Sequence, residues 1–146
     1  SQMFLGQFNR VSGKLYNYFW NMEVEDNAFI SLENDIGQSA WLHASWTEWK
    51  NSFNFEIFGQ KGKIQIEGLG GSYGVEKIFL YKMLPELGPP ETTCWEYPFE
   101  DRSWYLEINN FVDSISNINN NSNGNLENAL SILKITDEIY RQNPNN

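Results

Sequence analysis

The residues that can do chemistry in this sequence are few, and their types narrow it sharply. There is one histidine, His43, and one cysteine, Cys94. A lone cysteine allows no intrachain disulfide and no thiolate zinc cluster. A Ser–His pair or a histidine metal site would have to use His43. It lies in an alternating run between Leu42 and Ala44, with no carboxylate motif around it, and reads first as a satisfied or interface histidine. Cys94, beside Trp95 in a strand-like run, reads as a buried, inert thiol. The acidic trio Glu23, Glu25 and Asp26 carries the residue type of a glycosidase pair, but its spacing does not separate it from a solvated charge cluster. The run GLGGSYG at Gly68–Gly74 invites a phosphate-loop reading. It lacks a following Lys-Ser/Thr and precedes a strand-like run, so it fails as a nucleotide fingerprint and stays open as a tight loop carrying Tyr73. No catalytic residue and no metal site is expected.

Composition bounds the elements that must position these groups. The 146 residues suit one domain. Lys+Arg is 10 against Asp+Glu 19, a net charge of -9, which argues against nucleic acid or an anionic membrane as partner. Aromatics make up 16%, with 6 Trp, far too many for a disordered acidic segment. The mean hydropathy of -0.53 comes with no long apolar run, so no membrane-spanning helix is expected. No signal peptide is visible, and the single cysteine fits a cytoplasmic location.

The start, SQMFLG, reads as the last turn of a helix closed by Gly6, with the helix body lying before residue 1. Strand-like runs follow at Asn9–Trp20, Ala28–Glu33, Ser39–Trp46, Phe53–Phe58, Lys63–Glu67, Val75–Met83 and Thr92–Tyr97. Asn34–Gly37 and Gly59–Gly62 read as hairpin turns, and Leu84–Pro90 as a Pro/Gly loop. The period then changes. Trp104, Ile108, Phe111, Val112 and Ile115 mark a helix with Asp101 or Ser103 as cap. After the Asn-rich segment Asn117–Asn125, Leu126, Leu130, Leu133, Asp137 and Tyr140 mark another, capped by Asn125. The fold class is α+β: an open, largely antiparallel sheet of about six strands with two C-terminal helices packed on one face.

Alternation gives each strand two rows. Ala28, Ile30 and Leu32, with Ala40, Leu42 and Ala44, make an aliphatic face suited to helices. Val11, Leu15 and Phe19 fall in the matching row of the first strand. The other face interleaves Tyr16, Tyr18, Trp20, Phe29, Trp41, His43 and Phe58 with polar groups. Large exposed aromatic patches mark interfaces; stacking on a sugar is another use of the same rings. In a meander, the connections Asn21–Asp26, Thr47–Ser52 and Gly68–Gly74 fall at one sheet edge. That long-looped edge holds Trp20, Trp46, Glu48, Trp49, Lys50 and Tyr73, and is the end where a site is expected.

Taken together, FLGQF at Phe4–Phe8, VEDNAFISLE at Val24–Glu33, ASWTEWK at Ala44–Lys50 and FEIFGQKGKIQIEGLGGSYGVE at Phe55–Glu76 form a pattern. EDRSWYLEINNFVDSI at Glu100–Ile115 and LENALSILKITDEIY at Leu126–Tyr140 continue it. Within it lie an I-x-G-x-x-G-x-I hairpin and an E-x-x-x-F helix (Glu107, Phe111). The chain resembles the C-terminal domain of the glucose–fructose oxidoreductase/inositol dehydrogenase (Gfo/Idh/MocA) family along nearly its full length.

The resemblance implies a two-domain parent whose N-terminal Rossmann half binds NAD or NADP. Residues 1–146 would be its substrate-binding and oligomerisation domain. Hydride transfer at a hydroxyl-bearing carbon of a sugar or nucleotide sugar would occur in the intact parent. The family's Glu-Lys-Pro lysine and the Asp and His of the preceding helix have no counterpart here, nor does a dinucleotide glycine motif. No cofactor is therefore expected in this chain, and its own activity is left uncertain. On this resemblance the strand ending at Trp20 returns toward the active site. The expected substrate-facing residues are Trp20, Asn21, Trp46, Lys50, Tyr73 and Glu76. Lys50 could meet an anionic sugar or phosphate group. Tyr16, Tyr18, Phe29, Trp41, His43 and Phe58 are the expected homo-oligomer contact. The alternative is a stand-alone oligomerising or carbohydrate-binding domain with no catalytic role.

Overall fold

The computed structural model describes residues 1–70, 73–86, 88–98, 100–116 and 126–144. The chain divides into two compact units, Ser1–Trp49 with Asn119–Asn146, and Lys50–Ile118. The Asn-rich segment and the expected Asn125 cap lie outside the described residues. The fold is α+β, as expected; among the described residues seven strands form two open antiparallel sheets of three and four, where one sheet of about six was expected.

The first unit opens with a short helix, α1 (Gln2–Leu5), and closes at Gly6 with φ 72. Strands β1 (Arg10–Tyr16), β2 (Asn27–Glu33) and β3 (Ser39–Ser45) form an antiparallel meander in that order. The β2–β3 turn falls where Asn34 and Gly37 place it. Gly37 has φ 80 and donates its amide to the Asn34 carbonyl at 3.1 Å. The Asn34 side chain is buried. It accepts the Gln38 amide at 2.8 Å and donates to the Leu5 carbonyl at 2.9 Å, tying α1 to the turn.

Register aligns the aliphatic row as read: Val11 opposite Leu32 and Ala40, Leu15 opposite Ala28 and Ala44. Leu15 and Leu32 are buried, and so is Ile139 of the C-terminal helix α3 (Leu126–Gln142), which packs on β1. That approach needs Gly13. A Cβ there would stand 2.7 Å from Ile139 Cγ2. As an edge strand, β1 has unpaired backbone groups, and side chains at the end of α3 satisfy them. The Gln142 amide donates to the Val11 carbonyl at 2.9 Å and its oxygen accepts from Gly13 N at 3.1 Å. Asn143 accepts from Leu15 N at 3.3 Å and donates to the Gly13 carbonyl at 3.0 Å.

The second unit is a meander of β4 (Asn54–Gly59), β5 (Gly62–Glu67), β6 (Glu76–Lys82) and β7 (Glu91–Tyr97). Gly59 pairs with Gly62 across the expected hairpin. One row carries Ile57, Ile64, Ile66, Ile78 and Leu80; the other carries Glu56, Phe58, Lys63, Gln65, Phe79 and Tyr81. Helix α2 (Ser103–Ser116) starts after Asp101, whose carboxylate accepts the Ser103 amide at 2.8 Å. That bond holds the Asp101 carboxyl below its usual range. Where both helices were expected to pack on one face, α3 packs on β1, whereas α2 keeps Trp104, Ile108 and Phe111 exposed.

Two local expectations change. The first strand stops at Tyr16 rather than running to Trp20, because the amides beyond it turn onto Asp26 instead of a strand partner. Phe19 accordingly leaves the aliphatic row and is exposed. Cys94, expected to be buried, is an exposed thiol: it sits on β7, an edge strand, opposite Phe79 in the mixed row.

Candidate functional site

Both connections at one end of the first sheet converge, and a single carboxylate organises them. Asp26 closes the β1–β2 connection and is 1% exposed. It accepts the backbone amides of Tyr18 at 2.9 Å, Phe19 at 2.8 Å and Trp20 at 3.0 Å, and the Asn27 side-chain amide at 3.0 Å. Successive N–H groups curved round one anion form a nest. Burial pushes this carboxyl up, but the amides of Tyr18, Trp20 and Phe19 and the Asn27 side chain together hold it well below the usual range. Asn17 braces the loop, donating to the carbonyls of Met22 at 2.8 Å and Val24 at 3.1 Å. The Trp46 amide donates to the Asp26 carbonyl at 2.9 Å, joining the end of β3 to the same knot.

A polar relay leads from this knot to His43. The Asn27 side-chain amide donates to Asp26 and to Thr47 Oγ1, the latter at 2.8 Å. Its oxygen is left to accept from His43 Nε2 at 3.1 Å. That assigns the ring proton to Nε2 and turns Nδ1 toward Glu48, 3.6 Å away. The imidazole lies flat on Phe29, with centroids 4.3 Å apart and planes at 9°. Held through Nε2 by Asn27 and stacked on Phe29, His43 serves as an oriented polar group whose Nδ1 faces Glu48.

Beyond the relay the loop tips bring three rings together. Phe19 meets Trp20 edge-on at 5.1 Å and Trp49 edge-on at 4.9 Å, and Trp20 lies 6.2 Å from Trp49. The Trp20 indole N–H reaches toward the Trp46 carbonyl at 3.5 Å. Phe19, Trp20, Trp46 and Trp49 remain exposed, so the corner presents ring surface beside Glu48 and His43. Trp49 holds φ 58, a conformation non-glycine residues adopt rarely. From α3, the Tyr140 hydroxyl donates to both Glu25 oxygens at 2.9 and 3.0 Å, anchoring the loop from outside. That hydrogen bond, burial and the Glu25 charge push the Tyr140 hydroxyl above its ordinary value.

The expected substrate set divides between the units. Trp20, Asn21 and Trp46 lie at this end of the first unit; Lys50, Tyr73 and Glu76 belong to the second. There, Glu76 accepts the Gly70 amide at 3.0 Å and so braces its own loop, while Tyr73 leans on Phe53 with centroids 6.3 Å apart. The expected contact residues divide likewise. Tyr16 stacks on Tyr18 at 4.9 Å and meets Phe29 edge-on at 6.1 Å; Trp41 is exposed, and His43 shares the face. Phe58 lies on the second sheet. There the Lys63 ammonium, paired with Glu56, sits 5.3 Å from the Phe58 ring and 5.5 Å from the Tyr81 ring.

Sequence reasoning missed the organising role of Asp26, grouping it with solvated carboxylates. The available signal was its place immediately before β2. The His43–Glu48 pairing had no sequence signal.

Among the described residues no three His, Cys, Asp or Glu side chains converge as a metal site, and no helix is long and apolar enough to cross a membrane. The fold is similar to that of a crystal structure named as a "putative oxidoreductase" from Bacteroides fragilis NCTC 9343. The TM-score is 0.70 at 16% identity, over 99% of this chain and 47% of that one. This chain thus spans about half the length of that structural neighbour. No curated protein matches the sequence. Residues 1–65, which include the whole three-stranded sheet and its aromatic end, match a family model, the GFO/IDH/MocA C-terminal domain, which bears out the resemblance over that part of the chain.

Proposed function

We propose that this chain is the substrate-binding and dimerisation domain of a cytoplasmic oxidoreductase that uses NAD or NADP on a sugar-type substrate. The observation carrying this reading is the coincidence of the family match with the ring corner of Phe19, Trp20 and Trp49. Aromatic faces match the C–H faces of a pyranose, and His43 and Glu48 stand beside them to order hydroxyls. Loops on a rigid sheet are where substrate contacts are usually built. Hydride transfer itself belongs to the nicotinamide, which the other half of the parent would hold. The exposed face of Tyr16, Phe29 and Trp41 is the proposed contact with a second copy.

The test uses the intact protein that contains this chain. Sugars and polyols are offered with NAD and with NADP, and absorbance is followed at the nicotinamide band. Turnover is expected, with Trp20→Ala raising KM more than it lowers kcat. Absence of turnover across the panel, or a Trp20→Ala enzyme with unchanged KM, sinks the reading.

A further inference from the structure

The sheet of the second unit ends in a strand with an open side. In the order β4-β5-β6-β7, β7 has β6 on one side, and among the described residues no strand pairs with the other. Natural edges are blunted by lysines, prolines, bulges or covering segments. The edge of β1 is covered in this way, by the Gln142 and Asn143 side chains. β7 carries none of the first three. Its seven residues, ETTCWEY, hold no lysine, glycine or proline. They pair with β6 one to one, from Glu76–Tyr97 to Lys82–Glu91, without a bulge.

The ladder fixes which backbone groups face outward. Opposite residues in an antiparallel pair alternate between hydrogen-bonded and non-hydrogen-bonded positions. The Met83 amide donates to the Lys61 carbonyl at 3.0 Å, one step beyond the Gly62–Lys82 pair. Met83, Tyr81 and Phe79 therefore turn their backbone groups toward β5, and Ile78 and Leu80 turn theirs toward β7. Cys94 lies opposite Phe79, so Cys94 and its alternate neighbours Thr92 and Glu96 direct N–H and C=O to the open side. Pro90 and Pro98 bound the strand and have no N–H to add. The outward set is thus symmetric about Cys94, whose thiol is exposed.

We propose that β7 pairs antiparallel with β7 of a second copy of this chain, about a two-fold axis through Cys94, joining two four-stranded sheets edge to edge. In that register Thr92 faces Glu96 of the second copy, and every outward N–H and C=O finds a partner. A shift by one residue sets outward groups against inward ones. A shift by two sets Glu96 or Thr92 against a proline. Between the bonded positions Thr93 stands opposite Trp95 and Glu91 opposite Tyr97, so no like charges are directly opposed. Glu96 and Glu91 also hold lysine partners within their own sheet, Lys77 at 2.6 Å and Lys82 at 3.7 Å, which offsets the negative charge of the edge. The contact uses a strand edge rather than the ring face of Tyr16, Phe29 and Trp41, and it is independent of what the ring corner binds.

Cross-linking tests it. Cys94 is the one cysteine of the chain, so a bismaleimide that yields a covalent dimer must join Cys94 to Cys94. Hydrogen-bonded partners stand about 5.5 Å apart at Cα, within the reach of a short reagent. The reaction is run on this chain over a dilution series up to millimolar protein, with Trp41→Glu beside it to remove the proposed face contact. A dimer yield that saturates with concentration, and is the same in Trp41→Glu, is expected. Thr92→Lys, facing Glu96 across the axis, is expected to tighten dimerisation about five-fold and Thr92→Glu to weaken it about five-fold, the size of two ordinary cross-strand charge pairs. Thr92 is exposed, and circular dichroism checks that both variants keep the fold. A yield that never saturates, one that is lost in Trp41→Glu, or equal yields in the two Thr92 variants overturns the proposal.

Discussion

The amide of Trp20 lies 3.0 Å from the carboxylate of Asp26, so the residue that offers a ring at the loop tip is held through its backbone by a buried anion. The ring itself packs edge-on against Phe19 and keeps part of its surface exposed at the loop tip. Asp26→Asn keeps the shape but removes the charge that three amides and Asn27 converge on. Such charge-assisted bonds are stronger than neutral ones. The substitution is expected to lower the melting temperature by several degrees and to shift Trp20 emission to the red, both read in one thermal fluorescence scan. An unchanged scan would mean the nest does not hold the loop.

Acid should act through the same group. The Asp26 carboxyl is held below its ordinary value of 3.8 in the folded state. A depressed folded value contributes stability that is present above 3.8 and is lost as pH falls toward the folded value. Denaturant midpoints measured from pH 6 downward should fall below about pH 4 in the parent chain and more shallowly in Asp26→Asn. Parallel curves would remove Asp26 from the acid response.

Tyr140 titrates in the opposite direction. Its hydroxyl is raised above 10.0 by donating to Glu25. The stability from that bond is complete below pH 10 and is lost as pH rises through the folded value. Tyr140→Phe removes the bond at a partly exposed site, which costs about 0.5–1 kcal/mol after allowance for solvent. Urea unfolding at neutral pH checks the size. Ultraviolet titration of the phenolates checks that a raised tyrosine titration disappears in the variant.

Gly13→Ala tests the packing of α3 on β1. The added methyl would meet Ile139 Cγ2 at 2.7 Å, and a β-branched side chain on a helix has little freedom to turn away. Overpacking of this kind costs about 1–3 kcal/mol. Adding Ile139→Ala should recover part of that loss relative to the sum of the two single changes, so a double-mutant cycle in urea should read coupling. Strict additivity would place the two residues out of contact.

Trp41→Glu addresses the proposed self-association. Trp41 is 82% exposed on the face that also carries Phe29 and His43. A charge buried in a second copy's contact would weaken it. Sedimentation velocity should show an oligomer for the parent chain and a shift toward monomer for the variant. Oligomers of unchanged size would move the contact off this face.

The alternation of Ala28–Glu33 and Ser39–Ser45 was legible because burial on one face imposes a period of two. The Asn34–Gly37 turn was legible because few residues accept the φ of 80 at Gly37, and the Gly59–Gly62 hairpin because two glycines bracket a two-residue turn. The helical spacing from Trp104 to Ile115 and the apolar stripe of α3 were readable for the same local reason, and the family pattern rode on their order. The sequence by itself thus determined the strands, the turns, the helices and the α+β class.

Only the tertiary structure decided what the loops do. Asp26 looked like one more acidic neighbour of Glu23 and Glu25, because burial of a carboxylate depends on amides converging from residues 18 to 20. His43 looked isolated because Glu48 reaches it only after β3 has ended and turned. The expected substrate set falls in two compact units, Trp20, Asn21 and Trp46 in one and Lys50, Tyr73 and Glu76 in the other, because the strands form two sheets where a single meander was assumed. Periodicity is a property of neighbouring residues, whereas a nest, a relay and a ring corner exist only where distant segments are brought together.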